Sequence, residues 1–406
     1  MCSIFGAIGR SVNERALESI RARAQDRGRD GGQLVRYELG HGNVAYLGNW
    51  RATPTTEVQY GELQPYSGLV HNGTVANDKE LGGLPGEIDS QALARVLNRS
   101  SIWTFAKSLE KVIGSYALAC INHETVLGAC NYKPLHYWSD DYGNVYFSSM
   151  VRHFTDVLPF GQAPVSVEPY SVIDFLTGRS IRLPRTERKR AVVVCSAGLD
   201  SVTAAAKLRA EGFEVLLLHF RYGCLAESKE ASLIPLIAAR LNADYAYQVL
   251  PSYPRYCSSL FSDGSAIAIG KYGAEYAHDW VPARNLLMMA SAVAYAESHG
   301  YHVVALGNNL EESGAYPDNE EQLSTLLNLA MPYSVQNGYR MQILSPVGNL
   351  MKHEIVKLGL SLGAPYELTW SCYRNGDHHC GQCGPCFMRQ TAFARNCAED
   401  PVFLDW

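Results

Sequence analysis

The 406-residue chain has no apolar run approaching the ~18 residues that a membrane-spanning helix needs. Its start lacks both a basic region and an apolar, signal-like core, so the expected compartment is the cytoplasm and no membrane partner is expected. Long basic runs are also missing, and the densest, residues 185–190 (RTERKR), is short. With a net charge of −5 and a pI near 6.2, a broad nucleic-acid footprint is not indicated and a small-molecule substrate is favoured. No internal repeat or low-complexity segment stands out. What is present in quantity is cysteine. Eleven cysteines without an export signal point to thiols and metal rather than disulfides. The length suggests two domains, and 47% hydrophobic residues can fill sizeable cores.

The first chemical signal is AVVVCSAGLDS at 191–201. Residues 191–195 are apolar and β-branched, as in a buried parallel strand. Ser196, Ala197 and Gly198 make a small-residue turn, and a helix is predicted over 201–211 with Asp200 and Ser201 in the capping positions. A strand, a tight turn and a helix N-terminus converge free N–H groups on one spot, which makes an anion site. Alanine at 197 predicts negative φ there. Read alone, the stretch is equally an ordinary strand-to-helix link.

Strand and helix patterns then alternate: strand 215–220, helix 227–241, strand 243–249, helix 285–298, strand 302–307 and helix 319–331. Residues 251–283 read as a long irregular loop. Such alternation predicts a parallel sheet covered on both faces, with ligands at the strands' carboxyl ends. Arg284 and Asn285 open a helix where they can face a nucleotide. Tyr316 and Asp318 offer a ring and a carboxylate to a purine-like base. Cys372, Cys380, Cys383 and Cys386 follow a C-x7-C-x2-C-x2-C spacing that suits tetrahedral Zn²⁺, with iron–sulfur ligation as the rival. Four sulfurs leave no open position, which implies a structural role. His378 and His379 are alternative ligands, less favoured.

The first half carries a different set. Cys2 follows the initiator methionine, so removal of Met1 leaves a thiol and a free α-amine on one residue. That amine can act as base for its own thiol. Arg51 offers a fork for a carboxylate. Asn72 and Gly73 offer an amide and a backbone N–H for an oxyanion. Asp89, ahead of a helix predicted over 91–97, can hold an ammonium. Residues 114–118, 131–137 and 145–149 read as strands of a sandwich, and 151–190 lose clear pattern.

Taken in order, Cys2, R-x-T, N-G-x-x-x-N, D-S, K-P-L and F-S-S resemble the class II glutamine amidotransferases, which are N-terminal-nucleophile (Ntn) hydrolases. The resemblance implies an αββα sandwich in which Cys2 attacks the glutamine amide. Arg51 and Asp89 would hold the amino-acid end, and Asn72 and Gly73 the oxyanion. Residues 129–132 depart from the usual R-D-x-x-G.

Residues 190–397 resemble the QueC-type 7-cyano-7-deazaguanine synthases among the ATP-pyrophosphatases, through S-x-G-x-D-S, W-V-P-x-R-N-L, Y-P-D, L-N-L-A-M, Lys352-His353-Glu354 and the four cysteines. The departures are Ala197 for a loop glycine, Asn319 for the usual cysteine or serine, and an added Ala315. The implied fold is α+β followed by α/β. An amidotransferase domain at 2–185 precedes a doubly wound, parallel-sheet ATP-pyrophosphatase domain at 186–406 with a C-terminal four-cysteine zinc site. Implied ligands are ATP with Mg²⁺, bound by Ser196, Gly198, Asp200, Ser201, Arg284 and Asn285, together with glutamine and a 7-deazaguanine base. A homodimer follows by resemblance only.

Fusions of this type point to glutamine-derived ammonia entering the 7-substituent of a 7-deazaguanine. The expected reaction is 7-cyano to 7-formamidino, as in archaeosine. ATP-driven conversion of 7-carboxy- to 7-cyano-7-deazaguanine is the close alternative. A module that attaches a deazaguanine to a macromolecule, or a glutaminase with a regulatory nucleotide domain, are readings of other classes.

Overall fold

The computed structural model describes residues 2–53, 63–183, 189–251, 253, 257–261, 267–272, 279–313, 316–336 and 341–403. Pro54 and Thr55, most of the 185–190 linker, much of 251–283 and the Gly314–Ala315 step lie outside the described residues. The chain divides into two compact units, Met1–Arg185 and Thr186–Trp406. No helix among the described residues is long and apolar enough to cross a membrane.

The first unit runs β1 (Ser3–Gly9), α1 (Glu14–Ala24), β2 (Gly31–Glu38), β3 (Val44–Arg51), β4 (Leu69–Val75), α2 (Asp89–Val96), α3 (Ile102–Leu109), β5 (Gly114–Ile121), β6 (Val126–Cys130), β7 (His136–Ser139), β8 (Val145–Ser148), β9 (Val165–Ser166), β10 (Ser171–Asp174) and β11 (Ser180–Arg182). The strands form two sheets, ordered β2-β3-β1-β8-β7-β9 and β11-β10-β6-β5-β4. All seven residues of β1 are buried because both of its faces are covered. Ile4 and Ile8 meet Val70, Ala117 and Ala119 of the other sheet, while Phe5 and Ala7 meet Leu17 and Ile20 of α1. The period of two thus splits one apolar strand between two cores. With α2 and α3 packed on the second sheet, the layers are α, β, β, α. Asn13 caps α1 by accepting from the N–H of Arg15 and Ala16.

Two expectations change here. Residues 131–135 form a turn rather than a strand, with Asn131 Oδ1 accepting from Tyr116 and Lys133 N–H groups. The patternless stretch conceals β10, which sits inside the second sheet between β11 and β6 and is too short for its alternation to register.

His153 is fully buried, with Nδ1 2.7 Å from Ser148 Oγ and Nε2 3.2 Å from Asp26 Oδ1. Burial pushes its pKa down to about 4 despite Asp26. An unfolded histidine titrates near ~6.5, so between that pH and ~4 the unfolded chain binds a proton that the folded unit refuses. This contribution to stability is complete above ~6.5 and falls by about 3 kcal/mol as pH drops to ~4. Thermal unfolding across that range is expected to show the decline, and His153→Asn to flatten it.

The second unit runs β12 (Arg190–Val194), α4 (Leu199–Ala210), β13 (Glu214–Arg221), α5 (Glu227–Leu241), β14 (Asp244–Val249), α6 (Arg284–Ser298), β15 (Val303–Ala305), α7 (Leu310–Ser313), α8 (Glu321–Ser334), β16 (Gln342–Leu344), α9 (Lys352–Leu362) and α10 (Gly384–Arg395). The sheet order is β14-β13-β12-β15-β16, and every pairing is parallel. Ala191 and Val193 face α4, α5 and α9, while Val192 faces α6 and α8, so β12 reads as continuously apolar. The strand order reverses between β12 and β15, which opens a crevice at their carboxyl ends.

Candidate active sites

In the first unit, Cys2 leads β1 beside the end of β3. Its sulfur lies 3.4 Å from the Ala52 N–H, next to Arg51. Asn49 Nδ2 donates to the Ser3 carbonyl at 3.1 Å and reaches the His71 carbonyl at 3.5 Å. This amide joins the two sheets and brings Cys2 and Asn72, each the neighbour of a bonded residue, to one edge. Asn72 is buried, and its Nδ2 has no partner among the described residues. A buried donor left open is costly unless something arrives to use it. Gly73 tolerates no side chain, because a Cβ would lie 1.9 Å from the Ser115 carbonyl oxygen. Arg51 is buried, with Nε 3.4 Å from Thr53 Oγ1.

Asp89 begins α2 rather than preceding it. Its Oδ2 accepts from Val75 N–H at 2.8 Å and its Oδ1 from Ser90 Oγ at 3.1 Å. His71 Nδ1 lies 2.9 Å from the same Ser90 hydroxyl. Two cations that the sequence reading did not single out, Arg27 and Lys133, lie close enough to feel the Cys2 thiol. Lys133 had a signal in K-P-L, and Arg27 had none.

In the second unit, a cavity of about 230 Å³ opens at the switch point. Ser196, Gly198, Asp200, Ser201, Arg284 and Asn285 all line it. Two local expectations are corrected. Ala197 has φ +59°, not negative, at a cost of about 1 kcal/mol. Its carbonyl accepts from Trp370 N–H at 2.8 Å and its methyl is buried in the α4 core, so tertiary contacts hold a conformation the residue disfavours. Helix α4 starts at Leu199 with Gly198 as its cap, so Asp200 and Ser201 occupy the first turn. Gly307, just past β15, lets the strand end approach α4, since a Cβ there would lie 2.6 Å from Ser201 N.

Lys352, at the start of α9, joins this turn from the far end of the sequence. Its Nζ lies 2.5 Å from Asp200 Oδ2 and 2.9 Å from Glu312 Oε1. Burial alone would lower the Lys352 ammonium, but the two carboxylates raise it above its ordinary value. Burial lifts the Asp200 carboxyl. Burial works on Glu312 in the same direction, but Lys352 overcomes it and holds that carboxyl below the usual range. Asp200 Oδ1 is buried and takes no hydrogen bond from a described residue.

Tyr316 and Asp318 are not among the residues that line the cavity. The Tyr316 ring stacks on Trp280, with centroids 6.2 Å apart. Asp318 is spent as a brace, accepting from Asn285 N–H on its carboxylate and from Asn285 and Asn308 amides on its carbonyl. Asn319 does reach the cavity, bonded to Asn285 and Glu312. Glu230, which no motif singles out, lies on the wall, and burial pushes its carboxyl up to about 8.

Beside this cavity the sulfurs of Cys372, Cys380, Cys383 and Cys386 all lie within 4.8 Å of one another, and those of Cys380 and Cys386 are 4.0 Å apart. Tetrahedral zinc with Zn–S near ~2.3 Å sets sulfurs about 3.8 Å apart, so the four fit such an ion. Backbone N–H groups of Arg374 and Cys380 point at Cys372 Sγ, and that of Cys383 at Cys380 Sγ, as thiolate ligands require. His379 is committed elsewhere: its Nε2 accepts from Ser371 N–H at 3.0 Å. His378 is exposed.

The first unit is a four-layered αββα sandwich with a cysteine heading its first strand, and the second is a parallel sheet with a small-residue turn and a helix N-terminus at its switch point. Residues 190–397 match the family described as "Queuosine biosynthesis protein QueC", and the chain belongs to it. A Sulfolobus acidocaldarius protein is 37% identical across 99% of both chains, and one from Saccharolobus solfataricus is 38% identical across the whole of both. A Methanothrix thermoacetophila protein is 37% identical but matches only 52% of this chain, with 97% of its own. All three are named 7-cyano-7-deazaguanine synthase.

Proposed function

We propose that the chain converts 7-carboxy-7-deazaguanine to 7-cyano-7-deazaguanine, using ATP and ammonia freed from glutamine. The observation that carries this reading is the small-residue turn ahead of α4 with its Lys352–Asp200–Glu312 cluster, which suits phosphate binding, since a carboxylate must be activated before ammonia can displace its oxygen. The names of the full-length relatives support it. The formamidine-forming reaction ranks second because a nitrile is already electrophilic and leaves that machinery without a task.

Ser196, Gly198 and the first-turn N–H groups of Leu199, Asp200 and Ser201 would receive the ATP phosphates. Arg284 would neutralise developing charge, with Asn285 beside it. The open Asp200 Oδ1 fits Mg²⁺ accompanying ATP. One carboxylate oxygen leaves on AMP as ammonia attacks to give the amide. The amide oxygen leaves on a second AMP to give the nitrile, so acid and ammonia account for every atom of the product.

In the first unit Cys2 would attack the glutamine carboxamide while its α-amine takes the thiol proton. Arg51 would grip the α-carboxylate and Asp89 the α-ammonium. Asn72 Nδ2 and Gly73 N–H would hold the oxyanion. Incubation of the full chain with glutamine, ATP and each base tests the scheme. AMP and the nitrile from the acid support it, while formamidine from the nitrile without AMP refutes it.

Cys372, Cys380, Cys383 and Cys386 would hold zinc, which supplies cross-linking and no reactive position. Trp370 joins this knot to the Ala197 carbonyl, so cysteines held by a metal would brace the turn at 196–198. Chelation, or Cys383→Ser, is expected to lower Tm by more than about 5 °C and to raise KM for ATP about tenfold. Elemental analysis beside calorimetry and kinetics checks both effects.

A further inference from the structure

Three carboxyls line the cavity of the second unit: Asp200, Glu312 and Glu230. Lys352 is ion-paired with the first two. Glu230, in the first turn of α5, has no such ion pair, and Arg284 acts on it only through its charge. Its carboxyl takes no hydrogen bond and forms no ion pair with any described residue, although Arg284 lines the same cavity. Glu230 is half-buried, so its carboxyl oxygens stand on the cavity wall open to a ligand's donors. Tyr222, Phe220 and Tyr373 line the same cavity and supply flat and apolar surface.

The missing partner therefore has adjacent N–H donors on the edge of a flat ring. A carboxylate presents two oxygens side by side and suits two parallel N–H groups. A guanine-type ring carries that pair in its N1–H and 2-amino groups. The adenine of ATP instead has a bare N1 lone pair beside its amino group, which a carboxylate repels. On the far side of the deazaguanine ring the 7-carboxylate is an anion, and the Arg284 guanidinium lines the same cavity.

We propose that Glu230 is the specificity-determining residue of the base site, accepting hydrogen bonds from the ring N1–H and 2-amino group of the 7-deazaguanine. This rests on the reaction proposed above and names the residue that selects its substrate. Donors on the ligand would also restore the ionised form of a carboxyl that burial raises.

The test uses the full chain with ammonium as nitrogen source. Glu230→Gln is expected to raise KM for 7-carboxy-7-deazaguanine about 100-fold and to leave KM for ATP within about threefold. The wild type is expected to discriminate about 100-fold against the analogue lacking the 2-amino group, and the variant less than about tenfold. A rise in KM for ATP instead would assign the carboxyl to the adenosine and overturn the proposal. Equal use of both bases by the wild type would overturn it as well, and needs no variant to fold. A wild-type chain that processes no 7-deazaguanine at all would refute the reaction itself, which is a separable outcome.

Discussion

Cys2→Ala is expected to lower glutamine-dependent turnover by at least about 10⁴-fold while turnover with ammonium salts stays within about twofold. The separation follows from chemistry. Glutamine hydrolysis needs a nucleophile, and ammonia supplied from outside does not. Asn72→Ala is a graded companion, because Cys2 remains but the oxyanion loses one donor; a loss of about 10²–10³-fold is expected. Both variants should retain the Tm of the wild type, since Cys2 is only half-buried and Asn72 Nδ2 makes no bond to a described residue. Side-by-side assays with glutamine and ammonium, and mass spectrometry of the N-terminal residue, check these outcomes. Failure with ammonium as well would sink the coupled scheme.

Lys352→Met is expected to have the other large effect. The wild-type ammonium sits between Asp200 and Glu312 in a buried site. Removing it leaves two carboxyls close together without the ammonium that pairs with both, at a cost of about 3–5 kcal/mol. Pyrophosphate release should fall by at least about 10²-fold, because the charge balance changes at the turn proposed to take the phosphates. The sign of the pH dependence is distinctive. Without Lys352 the folded pKa of at least one carboxyl rises above its unfolded value of about 4, so the unfolded state ionises first as pH increases. The variant's deficit is therefore smallest near pH ~4 and grows toward neutrality. Wild-type Glu312, held below the usual range, contributes stability that is present above that range and lost only as pH falls through its lowered value. Chemical denaturation of both proteins at several pH values tests the contrast. Lys352→Arg, which keeps the charge, is expected to recover most of the stability.

Much of this is legible in the chain because the relevant residues are neighbours in it. The turn at 196–198 and the helix after it follow from small residues placed between a β-branched run and an apolar-periodic one. The four cysteines announce a metal through spacing alone. Helix 227–241 has the bounds its pattern predicts, because that pattern is long and Asn242, in a left-handed conformation, ends it. Short elements are less visible. Four-residue β10 carries too little alternation to separate from a loop, and the strand expected at 302–307 shortens to Val303–Ala305 where the backbone turns into the site.

The sequence by itself determined which chemical groups this protein owns: a cysteine beside the first methionine, a phosphate-type turn, four clustered thiols. Only the tertiary structure decided which of them meet. Lys352 reaches Asp200 across 152 residues, Ala197 is held at positive φ by Trp370, Asp318 becomes a brace, and Glu230 is set on the cavity wall apart from Lys352. Strand order sets those distances, and strand order comes from how two apolar faces of one sheet are covered, a property that no local window of residues contains.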